Sequence, residues 1–157
     1  MNSDPNTRSP DIITFPSIIF AVFWIIGLIT DRALSDILNI SGYPMKFGLS
    51  FIFLGILLLV WSCLTFATAK TSIDIRKSTK QLVTIGPYKY SRNPMYLAYV
   101  LMYLGISIFF GHMATLLLLI PCLFVLHYFA IEKEENYLKA RFGEQYLTYR
   151  SRVRRWF

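Results

Sequence analysis

Two short polar segments hold most of the residues that could carry out chemistry in this chain. In the first, Arg92-Asn93-Pro94, an Asn followed by Pro is typical of the capping residue and first residue of a helix. A helix N-terminus favours an anion because its N–H groups are free and partly positive. Arg92 beside it could bind a carboxylate or phosphate through two parallel hydrogen bonds. A plain helix start, with Arg92 reaching lipid headgroups, would use the same residues.

The second segment is a run of glutamates, Glu132, Glu134 and Glu135, directly after a long apolar stretch. If the helix continues, Glu134 and Glu135 lie about one turn beyond the hydrocarbon edge of a membrane. Acidic residues contribute little to the orientation of membrane proteins, so orientation does not require them. The alternative is a solvated extension of the helix.

The two polar segments flank a pair of apolar stretches joined by the short connection Gly111-His112. This connection predicts an antiparallel helical hairpin. At about 1.5 Å per residue the two helices reach nearly the same height, so both polar segments are expected to meet at one end. One side would favour an anion and the other a cation, which suits a zwitterion such as an amino-acid group.

Apolar stretches must position these segments, since 55% of the residues are hydrophobic and only 16% are charged. This composition excludes fibrous, disordered and disulfide-scaffold proteins and favours an integral membrane protein. A membrane-spanning helix takes about 20 apolar residues. We therefore predict a single all-α, polytopic domain over residues 1–157. Four stretches without Asp, Glu, Lys or Arg are its expected spans, at residues 12–30, 47–69, 95–111 and 113–131.

The basic residues predict the orientation of these spans. Fourteen of the 16 Lys and Arg residues fall on one side if there are four crossings, so the positive-inside rule places both termini in the cytoplasm. In a bacterium this would be the inner membrane. The net charge of +7 is then mainly a topology signal, with membrane lipids as contacts, and a nucleic-acid partner is not expected.

The C-terminal segment has helical amphipathic spacing, and Gly143 is expected to divide it into two helices. We expect this cytoplasmic segment to lie on the membrane surface and close over the site. His127, inside the last span, suits either a functional group or a neutral hydrogen-bonded side chain. His, Cys and Asp show no metal-ligand spacing, so no metal is expected. The sequence has no G-x-G motif, so a Rossmann nucleotide site is not expected either. The apolar positions of the segment are Leu138, Phe142, Tyr146, Tyr149 and Val153.

From Lys80 to the C-terminus, the chain resembles the isoprenylcysteine carboxyl methyltransferase / phospholipid methyltransferase family. The resemblance rests on residues 81–88, on Arg92-Asn93-Pro94-Met95-Tyr96, and on a glutamate pair followed by a spaced aromatic pattern that ends Val153-x-Arg155-Trp156.

The resemblance implies a membrane enzyme that binds S-adenosylmethionine without a Rossmann fold, at the cytoplasmic ends of the last two helices. The cofactor-binding part would cover residues 80–157. Arg92 and Glu135 are the candidate catalytic residues, with Glu135 positioning the acceptor or taking its proton. The positions that match cofactor contacts are Lys80, Gln81, Leu82, Val83, Tyr88, Asn93, Pro94, Met95, Tyr96 and Glu134.

Departures from the family pattern leave the methyl acceptor open. Asn93 stands where the family often has His, and Asn still suits a helix start. Ala130 stands where the prenylcysteine enzymes carry an arginine that holds the substrate carboxylate, which argues against prenylcysteine. The expected acceptor is a lipophilic molecule from the bilayer, with a carboxylate, amine or thiol. A small four-helix transporter and a non-catalytic scaffold of the same fold are the alternatives.

Overall fold

A computed structural model describes residues 16–35, 45–69 and 81–156, and every regular element within these ranges is helical. This confirms the all-α prediction for the described residues. A four-residue 3₁₀ turn, Gly86–Lys89, precedes α3, and a five-residue π-helical turn, His127–Ile131, joins α4 to α5. The α-helices are α1 (Pro16–Ala33), α2 (Met45–Thr68), α3 (Pro94–Phe110), α4 (Met113–Leu126), α5 (Glu132–Phe142) and α6 (Glu144–Arg152).

Three of the described helices are long and apolar enough to cross a membrane: α1, α2, and the continuous helix that begins at Met113. The helix α3 is apolar but has 17 residues, so a fourth crossing stays a prediction. The apolar surface of α2 is turned outward, with Phe47 66% and Phe53 61% exposed, as expected for a helix surrounded by lipid. The chain therefore has the helices of an integral membrane protein.

The hairpin of α3 and α4 forms the centre, with α2 packed along α3 and α1 along α4. Small residues allow α2 and α3 to approach closely: a Cβ on Gly48 would lie 2.6 Å from Phe109 N, and one on Gly105 would lie 2.7 Å from Gly48 O. Apolar helices in lipid gain little from hydrophobic burial against each other. Close backbone packing of this kind is what holds them together.

The predicted hairpin and the predicted break in the C-terminal segment are both confirmed, and a glycine makes each of them. Gly111 ends α3 with φ 71°, in the left-handed region that suits glycine at a helix end. His112 N then donates to Ser107 O at 2.8 Å. Gly143, with φ 49°, separates α5 from α6.

The first helix ends later than the predicted span, since α1 continues past Thr30 to Ala33 and includes Asp31 and Arg32. Asp31 binds the start of another helix. Its carboxylate accepts hydrogen bonds from Ala114 N at 2.7 Å, Thr115 N at 3.1 Å and Thr115 Oγ1 at 2.6 Å. Asp31 thus caps α4 from a distant part of the chain. Because Ala114 and Thr115 supply hydrogen-bond donors to its carboxylate, this charged residue can lie within α1.

Candidate active site

The start of α3 is positioned as predicted, with Asn93 at the N-cap position. Pro94 is the first helical residue and Asn93 precedes it, yet the Asn93 side chain makes no capping hydrogen bond. Its Nδ2 instead donates to the carbonyl oxygen of Arg155 at 3.4 Å, and Asn93 N donates to Ser91 Oγ at 3.1 Å. Asn93 is thus the N-cap residue by position, while its side chain holds the C-terminal segment in place.

The two polar segments meet, as the hairpin geometry predicts. Tyr96, in the first turn of α3, donates its hydroxyl hydrogen bond to Glu134 Oε2 at 2.5 Å, across 38 positions of sequence. Glu134 lies in the first turn of α5, just beyond the apolar part of the helix. Two of the cofactor candidates, Tyr96 of α3 and Glu134 of α5, are therefore in contact.

Glu134 is in an environment that favours its neutral form. Loss of solvent raises its pKa to about 7, with a further rise from Glu135, while the hydrogen bond from Tyr96 acts in the opposite direction. The pKa of Tyr88 is also raised, mainly by burial and then by Glu134. A carboxyl group beside buried phenols is thus set to change charge near neutral pH.

Glu135 lies between two arginines. Arg155 donates to it through Nε at 3.0 Å and Nη2 at 2.9 Å, and Arg92 Nη2 lies 3.3 Å from Oε1. These bonds raise the pKa of Arg155. Only 9% of Glu135 is exposed, so the carboxylate is buried with its charge compensated, as buried ions require. We call Arg92, Tyr96, Glu134, Glu135 and Arg155 the polar cluster.

Arg92 has a buried hydrogen-bond donor that is not satisfied. Its Nη1 donates to Tyr146 OH at 3.4 Å and its Nη2 faces Glu135, but Nε is buried with no partner. A buried unpaired donor costs free energy, commonly about 1–3 kcal/mol, and is rare in native proteins. An acceptor atom beside Arg92, such as a carboxylate oxygen of a ligand, would satisfy it.

The C-terminal segment packs onto the loop that leads into α3. Arg92 N donates to Arg154 O at 3.0 Å, and Ser91 Oγ donates to Arg155 O at 3.1 Å. Trp156 packs against the hydrophobic core. The C-terminal segment therefore lies against the start of the polar cluster, and its place on the membrane surface stays a prediction.

The 3₁₀ turn forms another side of the site, where Tyr88 and Val83 are buried as they approach α3. The backbone oxygen of Tyr88 accepts a hydrogen bond from Tyr149 OH at 2.7 Å, and its ring meets Phe66 edge-on at 5.2 Å. Gly86 begins the turn with φ 59°. Tyr88 is therefore fixed by both α2 and α6.

The remaining candidates are less closely tied to the polar cluster. Gln81 is exposed and its amide donates to Ala69 O, next to the end of α2. Leu82 and Met95 are half-buried. Lys80 lies outside the described residues.

Sequence reasoning missed two members of this site as interaction partners, Arg155 and Tyr146. Arg155 stands in the C-terminal motif, but it could not be paired with Glu135 before the path of the segment was known. His127, left open between two roles, is hydrogen-bonded to Arg155, with 3.1 Å between Nδ1 and Nη1. The only sequence signal for these partners was that they are polar residues in the C-terminal motif.

The arrangement suits a ligand that carries both charges. Glu134, when ionised, would attract a cation, and it accepts a hydrogen bond from the phenol of Tyr96. Arg92 offers a donor to an anion. The two groups are linked through neighbouring Glu135, so both ends of one small zwitterion could be bound.

Comparison with known proteins gives a family match that includes both polar segments. The family model described as phospholipid methyltransferase matches residues 43–145, which include α2 and most of the candidate site. An uncharacterized protein of Haemophilus influenzae (strain ATCC 51907 / DSM 11121 / KW20 / Rd) is 37% identical over 62 residues, 40% of this chain and 98% of that protein. No solved structure gives a significant match.

The family match extends well beyond the two polar motifs. It covers the α2–α3 packing, the hairpin and the glutamates of α5 in one continuous segment of more than half the chain. The chain belongs to the phospholipid methyltransferase family.

Proposed function

We propose that this membrane methyltransferase uses S-adenosylmethionine and transfers its methyl group to a lipophilic acceptor from the bilayer. The observation that carries the proposal is the meeting of the two polar segments, in which Tyr96 binds Glu134 at 2.5 Å and Arg92 lies 3.3 Å from Glu135. Family membership supports methyl transfer as the reaction class.

The residues present fit the amino-acid part of this cofactor. Glu134 would bind its ammonium group, and the unsatisfied Nε of Arg92 would bind its carboxylate. Tyr88 and Tyr96 would line the space between these groups. When bound, the cofactor supplies a methyl group already activated by the positive charge of its sulfonium.

With an activated methyl group, the protein has mainly to align the acceptor and exclude water. Orientation of two reactants can contribute about 7–11 kcal/mol to catalysis. The α3–α4 hairpin and the C-terminal segment would provide that alignment at one end of the helices. Arg155 and Arg92 occupy both oxygens of Glu135, which favours a positioning role for Glu135 over that of a base.

The acceptor class depends on whether a base is required. A carboxylate needs none, whereas an amine or thiol must lose a proton during transfer. Ala130 is buried, with 1% exposure, and brings no charge for a substrate carboxylate, which argues against prenylcysteine. We place the site at the cytoplasmic side, where the soluble cofactor has access.

The test is titration of S-adenosylmethionine into detergent-solubilised protein, followed by labelled-methyl transfer in membranes with identification of the product. Glu134→Gln is expected to weaken cofactor binding about tenfold or more, as for loss of a charge-assisted hydrogen bond. Glu144→Gln, an exposed glutamate in α6, is the matched control. Absence of binding by the wild-type protein, or equal binding by Glu134→Gln, would contradict the proposal.

A further inference from the structure

His127 lies where the apolar helix α4 passes into the π-helical turn, and both of its ring nitrogens have polar partners. Nδ1 is 3.1 Å from Arg155 Nη1, and Nε2 is 3.3 Å from Glu132 Oε1. A guanidinium group only donates hydrogen bonds, so Nδ1 is the acceptor in this pair. The ring proton then lies on Nε2, facing Glu132, and the two partners hold the ring in one orientation and one tautomer.

The π-helical turn makes the pairing of His127 with Glu132 geometrically possible. In a regular α-helix, residues five apart point about 140° away from each other. Here the backbone N–H of Glu132 donates to His127 O, five residues back, and this wider turn brings the two side chains onto one face. Such turns are rare in proteins, and those that do occur are often found at functional sites.

Arg155 connects His127 to the polar cluster. Its Nε and Nη2 bind the two oxygens of Glu135 at 3.0 and 2.9 Å, while Nη1 faces His127. The guanidinium plane is thus fixed on two sides. The backbone oxygen of the same residue accepts hydrogen bonds from Ser91 and Asn93.

We propose that His127, oriented by Glu132 across the π-helical turn, is a positioning residue for Arg155. By fixing Arg155 it holds the C-terminal segment over the polar cluster and sets the place of Glu135, which in turn faces Arg92. The effect on methyl transfer rests on the proposed function, whereas the hold on the C-terminal segment does not.

Two substitutions separate the acceptor role of His127 from its bulk. His127→Asn keeps an acceptor, Oδ1, close to the position of Nδ1, whereas His127→Phe keeps an aromatic ring and removes the acceptor. Glu132→Ala, at an exposed position, releases the ring without a change in the core and tests the same pairing from the other side.

Two readouts are taken on the full chain in detergent. The first is the rate of trypsin cleavage after Arg154 and Arg155, with cleavage after the exposed Lys139 of α5 as internal reference. The second is methyl transfer, with kcat and KM measured separately. His127→Phe is expected to raise C-terminal cleavage and lower kcat by about tenfold each, as for loss of one hydrogen bond to a charged group.

His127→Asn is expected to restore both readouts to within about threefold of wild type, and Glu132→Ala to raise cleavage by a smaller factor than His127→Phe. Unchanged cleavage in His127→Phe, or equal damage by Asn and Phe with unchanged cleavage at Lys139, would overturn the inference. If wild type transfers no methyl group but His127→Phe still frees the C-terminal segment, the proposed function fails and the positioning of Arg155 stands.

Discussion

Glu134 and Glu135 are adjacent in sequence but differ in chemistry because their partners differ. Two guanidinium groups bind Glu135, whereas Glu134 is bonded to the hydroxyl of Tyr96. Loss of solvent raises the pKa of the Glu134 carboxyl group. Glu135 therefore suits a fixed structural anion, and Glu134 suits a group whose charge responds to a ligand.

The raised pKa of Glu134 predicts a pH-dependent stability. Its pKa is about 7 in the folded protein against 4.5 for the ordinary group, so between these values the folded state binds the extra proton. As pH rises through this window, the free energy of unfolding should fall by at most about 3 kcal/mol from this group. Above about pH 7 it should level off. Thermal unfolding in detergent from pH 4.5 to 8 measures it.

The matched variants isolate this contribution. Glu134→Gln stays neutral throughout and should lose this part of the pH dependence, while Glu144→Gln should keep it. Equal pH profiles for wild type and Glu134→Gln would contradict the prediction.

The sequence predicted which polar segments meet at the site, because helix length determines how far along the hairpin each segment lies. Equal lengths on either side of Gly111 placed Arg92 near the glutamates, and the structure confirms that they meet. The pairing of Arg155 with Glu135 joins different helices and loops, so no spacing along the chain encodes it. Asn93 is the N-cap residue of α3 as predicted, but its side chain donates to a carbonyl of the C-terminal segment and makes no capping bond.

At the scale of the elements, local signals predicted local features and failed for contacts through space. The glycines at 111 and 143 indicated a turn and a break, which the structure confirms. The cap on α4 comes from Asp31, more than 80 residues earlier, and the π-helical turn at His127 follows from no local propensity that we identify. The helix α1 extends past the apolar stretch that ends at Thr30, because the charged residue Asp31 is stable where another helix supplies its donors.

The cap supplied by Asp31 predicts a large effect from a single substitution. Asp31→Ala removes the acceptor for two backbone N–H groups and one hydroxyl, so the free energy of unfolding should fall by about 1–3 kcal/mol. Asp31→Asn keeps one acceptor oxygen and should lose less. Thermal unfolding in detergent provides the measurement, with Arg32→Gln, at an exposed neighbouring position, as control. A loss in Asp31→Ala no greater than in the control would exclude the cap as a stabilising contact.

At the scale of the whole molecule, the α3–α4 hairpin separates two polar sites. The polar cluster lies at the start of α3 and the end of the α4 helix, and the Asp31 network lies at the opposite ends. Between them the hairpin is apolar, with buried residues such as Leu119, Cys122 and Leu126. The two sites would thus face opposite sides of a membrane, and only the first has an unsatisfied buried donor among its charged side chains.

Orientation is the prediction on which the proposed function depends most. Fourteen of the 16 basic residues fall on the side of the polar cluster if there are four crossings, so that side is expected to be cytoplasmic. Single cysteines test it in a background in which Cys63 and Cys122 are replaced by Ser. Phe110→Cys, beside the hairpin turn, and Gln145→Cys, in α6, both lie at exposed positions.

In intact bacterial cells, a membrane-impermeant maleimide should label Phe110→Cys, and it should label Gln145→Cys only after the membrane is permeabilised. The cysteine-free background controls for unspecific labelling. The reverse pattern would place Arg92 and Glu134 outside the cell, away from a soluble intracellular cofactor, and would contradict the proposed methyl transfer together with the orientation. Labelling of both positions in intact cells would indicate dual insertion, and the charge asymmetry would then be too weak to orient the chain.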